Sequence, residues 1–113
     1  MTKLEKSQMD LLTVSTEVGK LIPEFFQDKI SMSLSVRYNN HEKSLYFNVF
    51  ISDDEIYNDG HIVWGYEYKS VDGFLEAIKN RRNEILENRN KTKKARIKEM
   101  KKALKMMEAE DDQ

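Results

Sequence analysis

The chain reads as an α+β protein in the order helix, three antiparallel strands, helix, with both helices on one face of a meander sheet and the other face open. Three observations predict this. Apolar residues recur at helical spacing over residues 4–30, the period switches from 3.6 to 2 in three runs between residues 31 and 69, and helical spacing returns from residue 71. Residues 45–69, LYFNVFISDDEIYNDGHIVWGYEYK, stand at the centre of that order and hold seven of the eleven aromatic residues.

In the first segment Leu4, Leu11, Val14, Val18, Leu21, Ile22 and Phe25 fall at spacings that place them on one helix face. Gly19 and Pro23 interrupt the pattern. A break is expected there, with Pro23 in the first turn of a second short helix; a kink in one helix is the other outcome. Phe25, Phe26 and Ile30 then close the edge of the core.

The run SMSLSVRY alternates strictly, with Met32, Leu34, Val36 and Tyr38 on one side and Ser31, Ser33, Ser35 and Arg37 on the other. Asn39-Asn40 opens a polar turn that extends to Ser44. The second strand, LYFNVFIS, turns Leu45, Phe47, Val49 and Ile51 to the core, while Tyr46 and Phe50 flank Asn48 on the other side. The third, HIVWGYEYK, is expected to turn Ile62, Trp64, Tyr66 and Tyr68 inward and His61, Val63, Gly65 and Glu67 outward. Short connections make a meander with the second strand in the middle.

Ser70 or Asp72 can cap the last helix, whose Val71, Phe74, Leu75, Ile78, Ile85 and Leu86 form an apolar stripe. After Asn88 lysine dominates. The expected organisation is a core domain over residues 1–88, a basic helical arm over 89–107 and a frayed acidic tail over 108–113.

Composition narrows the function classes. Of the 113 residues 39% are hydrophobic, below the usual share, and 35% are charged, above it. No cysteine is present, which excludes disulfides and thiolate metal sites and points to a reducing cytoplasm. The charged N-terminus MTKLEKSQMD lacks the apolar run of a signal peptide, and no 18-residue apolar stretch exists to span a membrane. The net charge of −1 conceals a segregation. Residues 1–78 hold 7 Lys+Arg against 13 Asp+Glu, residues 79–107 hold 12 against 3, and the last six hold none against 4.

Three features are candidate contact surfaces. On a helical wheel Lys91, Lys94, Lys98, Lys101, Lys102 and Lys105 share one arc, with Ile97, Met100, Leu104 and Met107 on the other side. Like charges at i,i+4 destabilise a free helix, so a polyanion or an acidic protein surface would suit this face; a solvated lysine face is the plain alternative. The 3, 4, 3 spacing of the apolar four is an a/d pattern that allows a homodimer through residues 97–107, although upstream Asn90 and Lys93 occupy those slots. The second surface is the open sheet face, where Ser33, Ser35, Arg37, Tyr46, Asn48, Phe50 and His61 are expected together. The third is the acidic loop of residues 53–59, with Asp53, Asp54, Glu55 and Asp59. It fails as a calcium loop, because placing Gly60 at the sixth position puts Tyr57 and Tyr66 where oxygen ligands belong. No catalytic, cofactor-binding or metal-binding motif is present, and His41 and His61 stand alone.

The element order is that of the double-stranded-RNA-binding domain. Its basic cluster, however, should open the last helix, where this chain has Ser70-Val71-Asp72-Gly73-Phe74. The order, the acidic strand loops and the Lys/Asn/Glu-rich composition of residues 4–88 instead resemble small phage-encoded proteins of low-GC bacteria, including anti-CRISPR inhibitors. That resemblance implies a non-enzymatic accessory or inhibitor protein that binds a partner protein by surface complementarity. A nucleic-acid-binding protein using the lysine face is the alternative.

Overall fold

The computed structural model of the chain describes residues 1–55 and 60–111. It runs α1 (Lys3–Gln27), β1 (Ile30–Asn39), β2 (Ser44–Asp53), β3 (Gly60–Trp64), a 3-10 turn (Gly65–Glu67) and α2 (Val71–Asp111). This is the expected α-β-β-β-α order, with the sheet ordered β1-β2-β3. The chain divides into two compact units, Met1–Arg82 and Asn83–Gln113.

Helix α1 begins with a capping box: the Thr2 hydroxyl accepts from the Glu5 N–H, and the Glu5 side chain accepts from the Thr2 N–H. It does not break at Gly19 or Pro23, as the sequence had suggested; Pro23 sits inside one continuous helix. Pro23 lacks an N–H to give to the Gly19 carbonyl, but both residues face solvent, where water can take that carbonyl's bond. Val14 and Val18 before the proline and Phe25 after it are all buried, so packing holds both halves in register. The Ser7 hydroxyl accepts from the Leu45 N–H at 3.0 Å and fastens the helix to β2.

Asp28 caps α1 and Lys29 turns the chain into β1 with φ of 57°, a left-handed conformation unfavourable for lysine. The turn is held from both sides: the Lys29 N–H donates to Phe26 O at 3.1 Å, and its carbonyl accepts from the Asp54 N–H at 3.0 Å.

The β1–β2 register pairs Met32 with Ile51, Leu34 with Val49, Val36 with Phe47 and Tyr38 with Leu45. These rows share the helix side, as the alternation predicts, and Val49 and Ile51 are fully buried there. In α2, Ser70 provides the cap, its hydroxyl accepting from the Gly73 N–H at 3.1 Å. Phe74, Leu75 and Ile78 are buried, and the Phe74 ring meets Phe47 edge-to-face at 5.2 Å.

Strand β3 departs from expectation in two ways. It ends at Trp64 instead of continuing to Lys69, and its faces are inverted. Val63 pairs with Val49 and is buried, whereas Ile62 pairs with Phe50 and Trp64 with Asn48 on the open side. His61, opposite Ile51, therefore lies on the helix side and not on the open face. A side-chain period of two means that a one-residue shift in parity exchanges the whole set.

The second unit is a helix to Asp111, so residues 108–110 continue α2. The absence of Gly or Pro after Gly73 permits this. From Lys93 to Glu110 every residue is exposed.

Within the first unit, Arg82 closes the helix layer. Its Nε and Nη2 donate to one Asp28 oxygen at 2.8 and 2.6 Å, with Glu24 at 3.9 Å and the Phe25 ring centroid at 6.0 Å. Both members of the main pair are about one quarter exposed, 28% and 26%. Arg82→Ala is expected to lower stability by ~1–3 kcal/mol, read as a drop in melting temperature. An unchanged melting temperature would show that the pair is idle.

Candidate functional site

The inverted parity of β3 determines what the open face carries. Ser33, Ser35 and Arg37 from β1 lie beside Phe50, Asn48 and Tyr46 from β2, and Ile62 and Trp64 complete the row on β3. The 3-10 turn then brings Tyr66 within 5.7 Å of the Trp64 ring and 6.4 Å of the Tyr46 ring. Phe50 is 41% exposed, Ile62 38%, Trp64 37% and Tyr66 65%. One side of the sheet thus presents a row of large apolar side chains with serines along one margin.

Two glycines make this row possible. A Cβ at Gly65 would come within 2.6 Å of the Phe47 ring and 2.8 Å of the Phe47 carbonyl oxygen, so only glycine lets the chain leave β3 this close to β2. That close passage positions Tyr66 beside Tyr46. At Gly60 the Phe50 ring lies where a Cβ would be, 2.7 Å from its Cζ.

At the far end of the row a cleft of about 400 Å³ is lined by Arg37, Asn39, Tyr46, Asn48, Trp64 and Tyr66. With Phe47 it combines four aromatic residues with one guanidinium and two amides, the few polar groups that orient a bound side chain. A larger hollow of about 740 Å³ lies between the end of α1 and the start of β1, against Ile22, Phe26, Ile30 and Met32. At its rim the Ser31 hydroxyl donates to the Asp54 carboxylate.

The acidic loop contributes less than its composition suggests. Asp53 is buried, and its Oδ1 accepts from the Glu55 N–H at 2.9 Å, a local turn bond. Asp54 is engaged with Ser31. Glu55 is exposed, and Asp59 lies outside the described residues. Two of the four acidic candidates therefore have structural roles.

The lysine candidates are placed differently. Lys91, Lys94, Lys98, Lys101, Lys102 and Lys105 are all exposed on α2 in the second unit. Near the N-terminus, Lys3 and Glu42 pair at 2.8 Å. Their hydrogen bond and mutual charge raise the lysine pKa and lower that of the carboxyl. Both groups are exposed.

Among the described residues no group of three His, Cys, Asp or Glu side chains could hold a metal ion, and no helix is long and apolar enough to cross a membrane. No protein-family model matches the chain, and no curated protein or solved structure matches it either.

Sequence reasoning found Tyr46 and Phe50 but missed Ile62, Trp64 and Tyr66. The signal was present: in Ile62-Val63-Trp64 all three residues are apolar, so alternation alone leaves either parity open. The short side chain of Val63 fits beneath the helices, and the larger Trp64 goes outside. Gly65→Ala is expected to destabilise the protein by ~1–3 kcal/mol through overpacking against Phe47. A denaturant midpoint equal to wild type would mean that the β3 exit has room to spare.

Proposed function

We propose that the chain is a non-enzymatic protein-interaction module that docks a partner protein on the open sheet face, as an accessory or inhibitor protein of phage or mobile-element type would. One observation carries the reading: exposed Phe50, Ile62, Trp64 and Tyr66, with half-buried Tyr46 among them, form an apolar row beside Arg37. Tryptophan, tyrosine and arginine are the residues that dominate binding energy at the centres of protein interfaces. Single-stranded nucleic acid also stacks on aromatic sheets, but it needs a positively charged groove to follow its backbone. Here the face holds one guanidinium, and residues 1–78 hold 7 Lys+Arg against 13 Asp+Glu. The partner chemistry that fits is a bulky apolar or aromatic anchor next to a carboxylate or carbonyl for Arg37. The phage-type part of the proposal rests on the element order together with the acidic strand loops and Lys/Asn/Glu-rich composition, and the cytoplasmic setting rests on the lack of cysteine.

Capture from lysate of the source cell tests the sheet face directly. A protein retained by the wild type after nuclease treatment, and lost with Trp64→Ala or Tyr66→Ala at unchanged melting temperature, is the expected result. Trp64 is the only tryptophan, so its emission should also change when the isolated partner is added. Equal retention by wild type and variants, or no retained protein, would sink the proposal.

A second reading is favoured by the six exposed lysines on one arc of α2, which suit a phosphate backbone. If duplex DNA is their ligand, its affinity should fall steeply with salt. Replacing Lys94, Lys98 and Lys101 with alanine should then flatten that slope by about 3. Absence of duplex binding at low salt would end this reading.

A further inference from the structure

The distal part of α2 carries an apolar stripe and a charge order, basic then acidic, that is complementary to its own reverse. From Lys93 to Glu110 the helix is exposed on every side, including Ile97 at 52%, Met100 at 65%, Leu104 at 57% and Met107 at 62%. These four occupy successive a and d positions, with Ile97 and Leu104 at a and Met100 and Met107 at d. Lysines at i,i+4, such as Lys94 with Lys98 and Lys98 with Lys102, weaken the free helix. A bare apolar stripe on a helix with such internal repulsion gains from burial against a second helix.

The flanking charges select the orientation. The positions beside the seam are Lys94, Lys101 and Glu108 on one side, and Arg96, Ala103 and Glu110 on the other. In a parallel pair Arg96 would face Lys101 of the second copy, Arg89 would face Lys94 and Ala103 would face Glu108, so two like-charge pairs form and no opposite-charge pair does. In an antiparallel pair Ile97 packs against Met107 and Met100 against Leu104 of the second copy. Lys94 then faces Glu108, and Arg96 faces Glu110. Each of these contacts occurs twice by the two-fold symmetry. Lys101 and Ala103 each meet their own copy, and of these only Lys101 is charged. The acidic tip that follows the basic arm is thereby explained: it is the complement of the arm's upstream half, supplied by another chain.

We propose that residues 93–110 form an antiparallel helical pair with a second copy of this chain. The seam is Ile97, Met100, Leu104 and Met107, and orientation is set by Lys94–Glu108 and Arg96–Glu110 pairs. This stands independently of the sheet-face reading, since it uses none of those residues. Of the lysine arc it engages Lys94 and Lys101 and leaves Lys91, Lys98, Lys102 and Lys105 outside the pair.

The full chain is tested by sedimentation equilibrium across concentration. The mass is expected to rise from 13.4 kDa toward twice that value, and less readily at high salt. Glu108→Lys with Glu110→Lys should weaken association at least about tenfold, because four attractions become repulsions. Adding Lys94→Glu and Arg96→Glu to that variant should restore it. Lys101→Ala should tighten the pair. With no native cysteine to interfere, Ile97→Cys chains mixed with Met107→Cys chains should form the mixed disulfide on oxidation, and Ile97→Cys alone should not cross-link. Far-UV circular dichroism of each variant confirms that the chain is folded. A mass of 13.4 kDa at every concentration, no rescue by the fourfold charge exchange, or cross-linking of Ile97→Cys with itself would each overturn the proposal.

Discussion

The pairing of Val49 with Val63 is the contact on which the rest of the first unit depends. Both side chains are buried on the helix side, at the junction of the central strand with β3. Because alternate residues of a strand point to opposite faces, fixing Val63 inward sends Ile62 and Trp64 outward. One small β-branched residue in the core thus places the only tryptophan on the surface. Gly65 extends the consequence by letting the chain pass tightly over Phe47, which brings Tyr66 beside the same row.

The helix side is held by a different kind of constraint. Apolar packing through Val14, Val18, Phe25, Phe74 and Ile78 supplies the burial, but polar contacts fix where the helices lie. Ser7 spends its hydroxyl on a β2 N–H, Lys29 accepts an unfavourable backbone angle between two hydrogen bonds, and Arg82 reaches Asp28 at the α1 terminus. These ties explain how α1 remains whole across Pro23. Its two halves are each anchored, so the missing hydrogen bond at one exposed carbonyl does not decide the outcome.

The charge segregation divides the same way as the contact surfaces. An acidic body bearing an aromatic sheet suits a protein partner, and a basic arm followed by an acidic tip suits a copy of itself in reverse. The acidic loop, the most conspicuous feature by composition, is partly consumed by the fold, since Asp53 and Asp54 satisfy nearby donors. A carboxylate that satisfies a turn or a hydroxyl has less left to offer a partner.

By itself the sequence determined the α+β class, the element order, the central position of β2 and the inward row of Leu34, Val49 and Ile51. Those follow from local periodicity, which a change from 3.6 to 2 makes visible without any long-range information. It also displayed the a/d spacing and the charges of the arm, because a helix places neighbours by spacing alone. Tertiary structure decided the continuity of α1, the parity of β3 and therefore the composition of the open face. The physical reason is the same in each case. At Pro23 a breaker competes with burial on both sides, and at Ile62-Val63-Trp64 three apolar residues compete for one inward position. Such contests are settled by which side chain fits the space beneath the helices, and that space exists only once the chain has folded.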